Sequence, residues 1–259
     1  MGYEVVQVRK EGAVGIITLN RPPMNPLNNQ VYTELGMAAA EMQADAEVKA
    51  VIVTGAGEKA FAAGADVAEM VNMNALDIYG FCATCKASMT ALENMHKPVV
   101  AAIHGFALGG GLEIALCCDF RIASEKATLG LPEINLGIIP GSGGSQRLAR
   151  LVGANKAKEL IFFGDTIDAA TALSIGLVNK VVPAESLMDE AMAYAGKLAK
   201  KATPAMKMAK EAINTGMNMD LASALTLEVQ NVVTVFASED GKEGLKAFME
   251  KRKPTFVGR

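Results

Sequence analysis

The segment Lys97 to Asp119, KPVVAAIHGFALGGGLEIALCCD, constrains the fold more than any other part of the chain. Pro98 to His104 is apolar and rich in β-branched residues, the composition of a buried strand. Gly105, Gly109, Gly110 and Gly111 follow, and the apolar stretch Leu112 to Cys118 then reads as a helix. Strand, glycine-rich turn and helix start in that order leave free backbone N–H groups at a helix N-terminus, where the dipole favours negative charge. Glu113 falls in the first turn of this helix, a lone carboxylate in an apolar segment and a candidate acid or base. Two nucleotide-binding loops fail on spacing. Gly105 and Gly110 open like a P-loop, but Gly111 and Leu112 stand where Lys and Ser or Thr are required. The dinucleotide fingerprint lacks its later glycine. The bland alternative is that these glycines serve only close packing of strand on helix.

At 259 residues the chain suits one large domain, or a domain with an appendage. A net charge of −3 argues against a general binder of nucleic acid or of membrane surfaces. The N-terminal MGYEVVQVRKEG has no continuous apolar run of the signal-peptide kind, and Val6 stands where N-myristoylation needs Ser or Thr. His104, Glu113 and the glycines interrupt the longest apolar stretch, so no membrane span is expected. The expectation is a cytoplasmic protein. Cys82 and Cys85 have metal or redox spacing, but Cys117 and Cys118 are adjacent within a helix and the histidines offer no ligand spacing. Buried reduced thiols and no metal site are expected.

Along the chain, Glu4 to Val8 and Val14 to Asn20 read as strands joined by a turn, and Asn28 as the cap of a helix with Val31, Leu35, Ala38, Ala39 and Met42 on one face. Ala50 to Thr54 is a buried strand. Phe61 to Asp66 is a small-residue turn leading into Val67 to Asn72, with Asp66 as a helix cap, and Tyr79 to Met95 is a helix. Phe120 to Ala123 and Leu177 to Val182 are strands, Ala127 to Glu133 is a strand or loop, and Gly137 to Gly144 is a second glycine-rich loop. Ser145 to Leu151 and Ala154 to Phe163 are helical. From about Glu185 the pattern is helical throughout, near Leu187–Lys201, Pro204–Thr215, Leu221–Phe236 and Lys242–Lys251. Alternating strands and helices predict an α/β fold, with a core over residues 1–185 and a helical C-terminal region over 186–259.

Small residues twice at loop-to-helix transitions, at Gly64-Ala65-Asp66 and at Gly109 to Gly111, suggest backbone N–H groups from two places aimed at one oxygen. Such an oxyanion hole is worth on the order of 3 kcal/mol per donor. Glu113 and Glu133 lie on either side of a strand and are suited to flank one water as base and acid.

The segments AFAAGAD (Ala60 to Asp66), GFALGGGLE (Gly105 to Glu113), LPE (Leu131 to Glu133) and GIIPGSGGSQRL (Gly137 to Leu148) resemble the crotonase, or enoyl-CoA hydratase/isomerase, superfamily. The opening NRPPMNPLN and the ending AFMEKRKP resemble it too, so the likeness spans essentially the whole chain. It implies a spiral of ββα units with a helical C-terminal region used in trimers and hexamers. Within the superfamily the chain is most similar to short-chain enoyl-CoA hydratases, enzymes that reversibly add water to trans-2-enoyl-CoA, as in 3-hydroxybutyryl-CoA dehydratases. The resemblance makes the N–H groups of Ala65 and Gly110 the oxyanion hole for the thioester carbonyl. Glu113 would activate water for attack at C3, and Glu133 would protonate C2. CoA, carried by the substrate, would lie along Lys59, Ala60, Ala62, Ala63, Ala65, Asp66 and Val67, with Lys251 as a further contact; no separate cofactor is implied.

Three residues depart from the family pattern: Leu131 where many relatives carry Gln, Pro26 for a common Ala, and His104 for a common Asn. Leu131, two residues from Glu133, bears on the exact substrate. A Δ3,Δ2-enoyl-CoA isomerase needs one positioned carboxylate and no water, so two glutamates favour hydration; a hydratase of a specialised acyl-CoA stays open. RNA binding, known in some hydratase-like proteins, is disfavoured because Asn28 to Glu47 holds no Lys or Arg. The basic C-terminus, with Lys242, Lys246, Lys251, Arg252, Lys253 and Arg259, reads either as a solvated helix end or as cations that meet the CoA phosphates.

Overall fold

The computed structural model describes residues 2–259. Strands β1 (Val6–Glu11) and β2 (Val14–Leu19) form an antiparallel hairpin closed at Gly12, whose φ of +58° suits glycine. Strands β3 (Ala50–Gly55), β4 (Ala60–Ala63), β5 (Val99–Ile103), β6 (Phe106–Leu108), β7 (Phe120–Ser124), β8 (Thr128–Gly130), β9 (Ile167–Asp168) and β10 (Lys180–Val182) follow. One sheet has the order β1-β2-β3-β5-β7-β10, and a smaller sheet has the order β4-β6-β8-β9. The spiral is visible in this split. Each of three successive units sends its first strand to the large sheet (β3, β5, β7) and its second to the small one (β4, β6, β8), all parallel to their counterparts.

The helices are α1 (Asn29–Ala44), α2 (Val67–Met70), α3 (Ala75–Glu93), α4 (Gly110–Cys117), α5 (Gly144–Val152), α6 (Ala154–Phe163), α7 (Ala169–Ser174), α8 (Leu187–Leu198), α9 (Thr203–Gly216), α10 (Leu221–Ala237) and α11 (Glu239–Met249). Asn28 caps α1 by accepting from the Val31 N–H at 3.0 Å. Helix α3 starts four residues before the expected Tyr79, because Asn74 and Asp77 form a capping box. Asp66 stands at the N-cap of α2 but makes no cap bond; its carboxylate pairs with Arg21 at 3.0 Å instead.

The two faces of the large sheet serve two layers. Ile16, Ile52, Val100 and Ile122 pack under Leu187, Ala191 and Ala195 of α8, so the first helix beyond Glu185 is a core helix. Ile17, Val51, Val53, Val99 and Ile103 face the small sheet and the helices α1, α3 and α4. Beyond α8, α9 and α10 pack on each other and leave large apolar side chains in the open, among them Ile213, Leu221, Val229 and Phe236. Among the described residues no single helix is long and apolar enough to cross a membrane; α10 and α11 reach that length only together, across a 74° bend.

The stretches expected as turns at Phe61–Asp66 and Gly105–Gly109 instead contain β4 and β6. These strands are only four and three residues long, AFAA and FAL, too short for an alternating pattern to show, and they are held extended by parallel pairing, β4 with β6 and β6 with β8.

Candidate active site

Two parallel chain segments leave the small sheet side by side. Ala63 pairs with Leu108 as the last register of β4 and β6, so Ala65 and Gly110 each lie two residues past that pair. Ala65 bridges Leu27 in parallel fashion. The Leu27 N–H donates to the Gly64 carbonyl and the Asp66 N–H to the Leu27 carbonyl, both at 2.9 Å. Successive peptide groups of an extended chain face opposite sides, so the N–H of Ala65 points away from Leu27. Gly110 is the first residue of α4, and its N–H has no intrahelical acceptor.

Glycine is required at this step for space. Gly109 has φ +51°, and a Cβ there would lie 2.9 Å from Glu133 Oε1. A Cβ on Gly110 would lie 2.6 Å from the Tyr32 hydroxyl oxygen, 3.0 Å from Leu27 Cδ1 and 3.9 Å from Glu113 Oε2. A Cβ on Gly111 would collide with the Ala62 carbonyl oxygen at 2.0 Å. The two carboxylates therefore flank the Gly109–Gly110 step, in a space that any side chain there would fill.

Glu113 is 2% exposed. Its Oε1 accepts the N–H groups of Ser142 at 2.8 Å and Gly144 at 2.7 Å, so it sits at the N-terminus of α5. That arrangement caps a helix, but it occupies one oxygen only and leaves Oε2 turned to Gly110. Burial raises the Glu113 pKa, opposed by the Gly144 and Ser142 N–H groups and by Arg147. Glu133 stands in a 3-10 turn, Pro132–Leu136, and its buried Oε2 has no hydrogen-bond partner. Burial pushes its pKa up to about 7, opposed by its own backbone N–H and assisted by the charge of Glu113. Fully buried Leu131 lies beside Gly144, its Cδ1 3.0 Å from where a Cβ of residue 144 would be, and adds an apolar wall. Two carboxylates held in unlike environments are the arrangement that separates an acid from a base.

Of the stretch expected along CoA, Ala60 and Ala62 are fully buried in β4, whereas Lys59, Ala63, Ala65, Asp66 and Val67 are wholly or partly exposed. The Ala60 carbonyl is already taken by Asn25 Nδ2 at 2.8 Å. Lys251 follows α11, which packs on α10. Arg252 and Arg259 are engaged locally, Arg252 with Glu243 at 2.6 Å and Arg259 with Glu239 at 3.0 Å. Met70 and Met73 pack half-buried against the core. All four cysteines are free thiols. Sequence reasoning left the Ser142 and Gly144 donors unassigned and missed Tyr32. The run of glycines just before a helix was the available signal for the donors; nothing local marks Tyr32.

The sequence profile of the family described as Enoyl-CoA hydratase/isomerase matches residues 9–259. The chain is 45% identical over 260 residues, covering 100% of both chains, to a crotonyl-CoA hydratase of Syntrophomonas wolfei. It is 49% identical over 249 residues, 96% of this chain and 95% of the relative, to a short-chain-enoyl-CoA hydratase of Clostridium acetobutylicum. The crystal structure of an enoyl-CoA hydratase from Bacillus anthracis superposes with a TM-score of 0.94 at 43% identity, covering 99% of this chain and 100% of that one. Fold, spiral topology and whole-length similarity agree: the chain belongs to the enoyl-CoA hydratase/isomerase family.

Proposed function

We propose that this protein reversibly hydrates short-chain trans-2-enoyl-CoA thioesters, crotonyl-CoA among them, to 3-hydroxyacyl-CoA. The observation that carries the reading is the pair of carboxylates, buried Glu113 and half-buried Glu133, on either side of the Gly109–Gly110 step, beside the outward N–H groups of Ala65 and Gly110. The names of the relatives support the substrate class.

In this reading the Ala65 and Gly110 N–H groups receive the thioester oxygen as it gains negative charge, at about 3 kcal/mol per donor. A water lies between the carboxylates. Glu113, through Oε2, takes one proton of the water while its oxygen bonds to C3 and the π electrons move onto the thioester. Glu133, protonated up to about neutral pH by burial, then gives its proton to C2. Water is thereby added in full, and passage of one proton from Glu113 to Glu133 restores both groups. Each proton transfer is worth about 10²–10⁴-fold. The reaction calls for no metal and no cofactor beyond the CoA of the substrate. An isomerase reading would use one carboxylate and leave the other without work.

Residues 186–259 supply the assembly surface in this account. The open apolar faces of α9 and α10 would be covered in a trimer or a dimer of trimers, and Lys251 would meet the CoA phosphates of a neighbouring subunit. Four unpaired thiols fit a reducing compartment, the cytoplasm. The test is loss of the conjugated thioester absorbance when purified protein meets crotonyl-CoA. Glu113→Gln and Glu133→Gln should each slow it at least about 100-fold with the fold intact; near-normal turnover in either would contradict the two-carboxylate mechanism.

A further inference from the structure

Glu113 is placed by the loop that binds it, and that loop is gripped by one side chain. Arg147, in α5, donates from Nη1 to the Ser142 carbonyl at 2.9 Å. Its Nε and Nη2 donate to the two oxygens of Glu93, at the end of α3, at 2.9 and 2.7 Å. All three nitrogens of the planar fork are engaged, with one edge on a carboxylate and the remaining nitrogen on a carbonyl. Gly143 makes room for it. With φ at +108°, a Cβ there would fall 2.0 Å from Arg147 Nη1, so the guanidinium fills the space that residue 143 leaves by having no side chain. The Ser142 carbonyl is thus fixed between the two N–H groups, of Ser142 and Gly144, that donate to Glu113 Oε1.

We infer that Arg147 is a positioning residue for Glu113: by holding the Ser142 carbonyl it fixes the two donors on Oε1 and keeps Oε2 turned toward the Gly109–Gly110 step. The inference rests on the hydratase reading, and Arg147 itself touches no reacting atom. Glu93 takes the opposite edge of the guanidinium, away from Ser142; the pair is part-buried, with side-chain exposures of 19% for Arg147 and 34% for Glu93.

The titratable groups facing Glu113 are Arg147 from α5, Glu133 from the 3-10 turn, Tyr32 from α1, Cys82 and Cys85 from α3, and Cys117 from its own helix. Burial raises the pKa of Tyr32 and of the three thiols, so they stay neutral. Arg147 is the one cation of the six. Loss of its charge and of the ordered donors makes Glu113 easier to protonate, which moves the acid limb of the rate profile to higher pH.

The experiment measures kcat, KM and the pH dependence of crotonyl-CoA hydration, alongside denaturant stability, for the full-length protein and three variants. Glu93→Gln removes the ion pair but leaves Arg147 charged and able to hold Ser142; its kcat should stay within about threefold. Arg147→Met should lower kcat by about 10- to 100-fold with little change in KM and raise the acid limb by at least about half a pH unit. Arg147→Lys keeps a cation without the fork, should fall between the two, and decides the matter if the Met variant fails to fold. Equal losses of kcat in Glu93→Gln and Arg147→Met, or an unmoved acid limb in the arginine variants, would reduce Arg147 to a stabilising ion pair. A wild-type protein inactive toward enoyl-CoA would instead remove the hydratase reading itself, so the two failures are distinguishable.

Discussion

Glu133→Gln should make the folded protein more stable at pH 8 while it slows turnover at least about 100-fold. In the fold the Glu133 carboxyl is pushed from 4.5 up to about 7 by burial, with Oε2 unpartnered. Between these values the unfolded chain has released its proton and the folded chain still holds one. Stability is therefore fully present below about pH 4.5 and declines as pH rises through 7. The full gap corresponds to about 3 kcal/mol of lost stability. Partial solvent access at the carboxyl reduces that to about 2 kcal/mol. Glutamine has nearly the same shape and no charge to lose. Denaturant titrations at one protein concentration should therefore show the two proteins close to equal near pH 4.5, with the variant ahead by about 2 kcal/mol at pH 8. The gain would mark a group kept for chemistry at a cost in stability. A variant equally stable at both pH values, or less stable at pH 8, would refute the claim that Glu133 sits as a neutral acid in a site that resists its charge.

Further outcomes follow from the same geometry. Gly109→Ala should lower kcat at least about tenfold, since it strains a backbone at φ +51° and puts a methyl 2.9 Å from Glu133 Oε1; unchanged turnover would place the reaction elsewhere. Lys251→Ala should raise KM for crotonyl-CoA at low salt and leave kcat alone, while Lys253→Ala should not. Lys253 lines a separate basic hollow of about 430 Å³ with Lys49, Lys200 and Lys201. Light scattering at micromolar concentration should give the mass of a trimer or hexamer, and a monomer would contradict the assembly proposed through α9 and α10.

Much of the site could be read from local sequence. Glu113 stood out because an apolar helix after four glycines carried a single acid, and its 2% exposure explains why nothing else polar shares that segment. The hairpin and the β-branched strands β3 and β5 were legible for the same reason, since their residues fit a buried sheet. What local sequence hides is placement. Strands β4 and β6 are too short to show an alternating pattern and are held extended by parallel pairing with strands distant in the chain. Asp66 has the chemistry of a cap, yet Arg21, 45 positions away, offers it an ion pair. Ser142 and Gly144 act through backbone N–H groups, which no side chain advertises, and Arg147 reaches them from the helix that they begin.

The central claim is that both carboxylates act on one substrate, one through water and one at C2. Turnover of crotonyl-CoA in oxygen-18 water and, separately, in deuterium oxide, followed by mass analysis of the product, tests it most directly. The account predicts solvent oxygen in the new hydroxyl at C3 and one solvent deuterium at C2 in each product molecule, both lost together in Glu113→Gln and in Glu133→Gln. Deuterium entering the acyl chain without solvent oxygen would contradict it and would mark a proton-shifting isomerase.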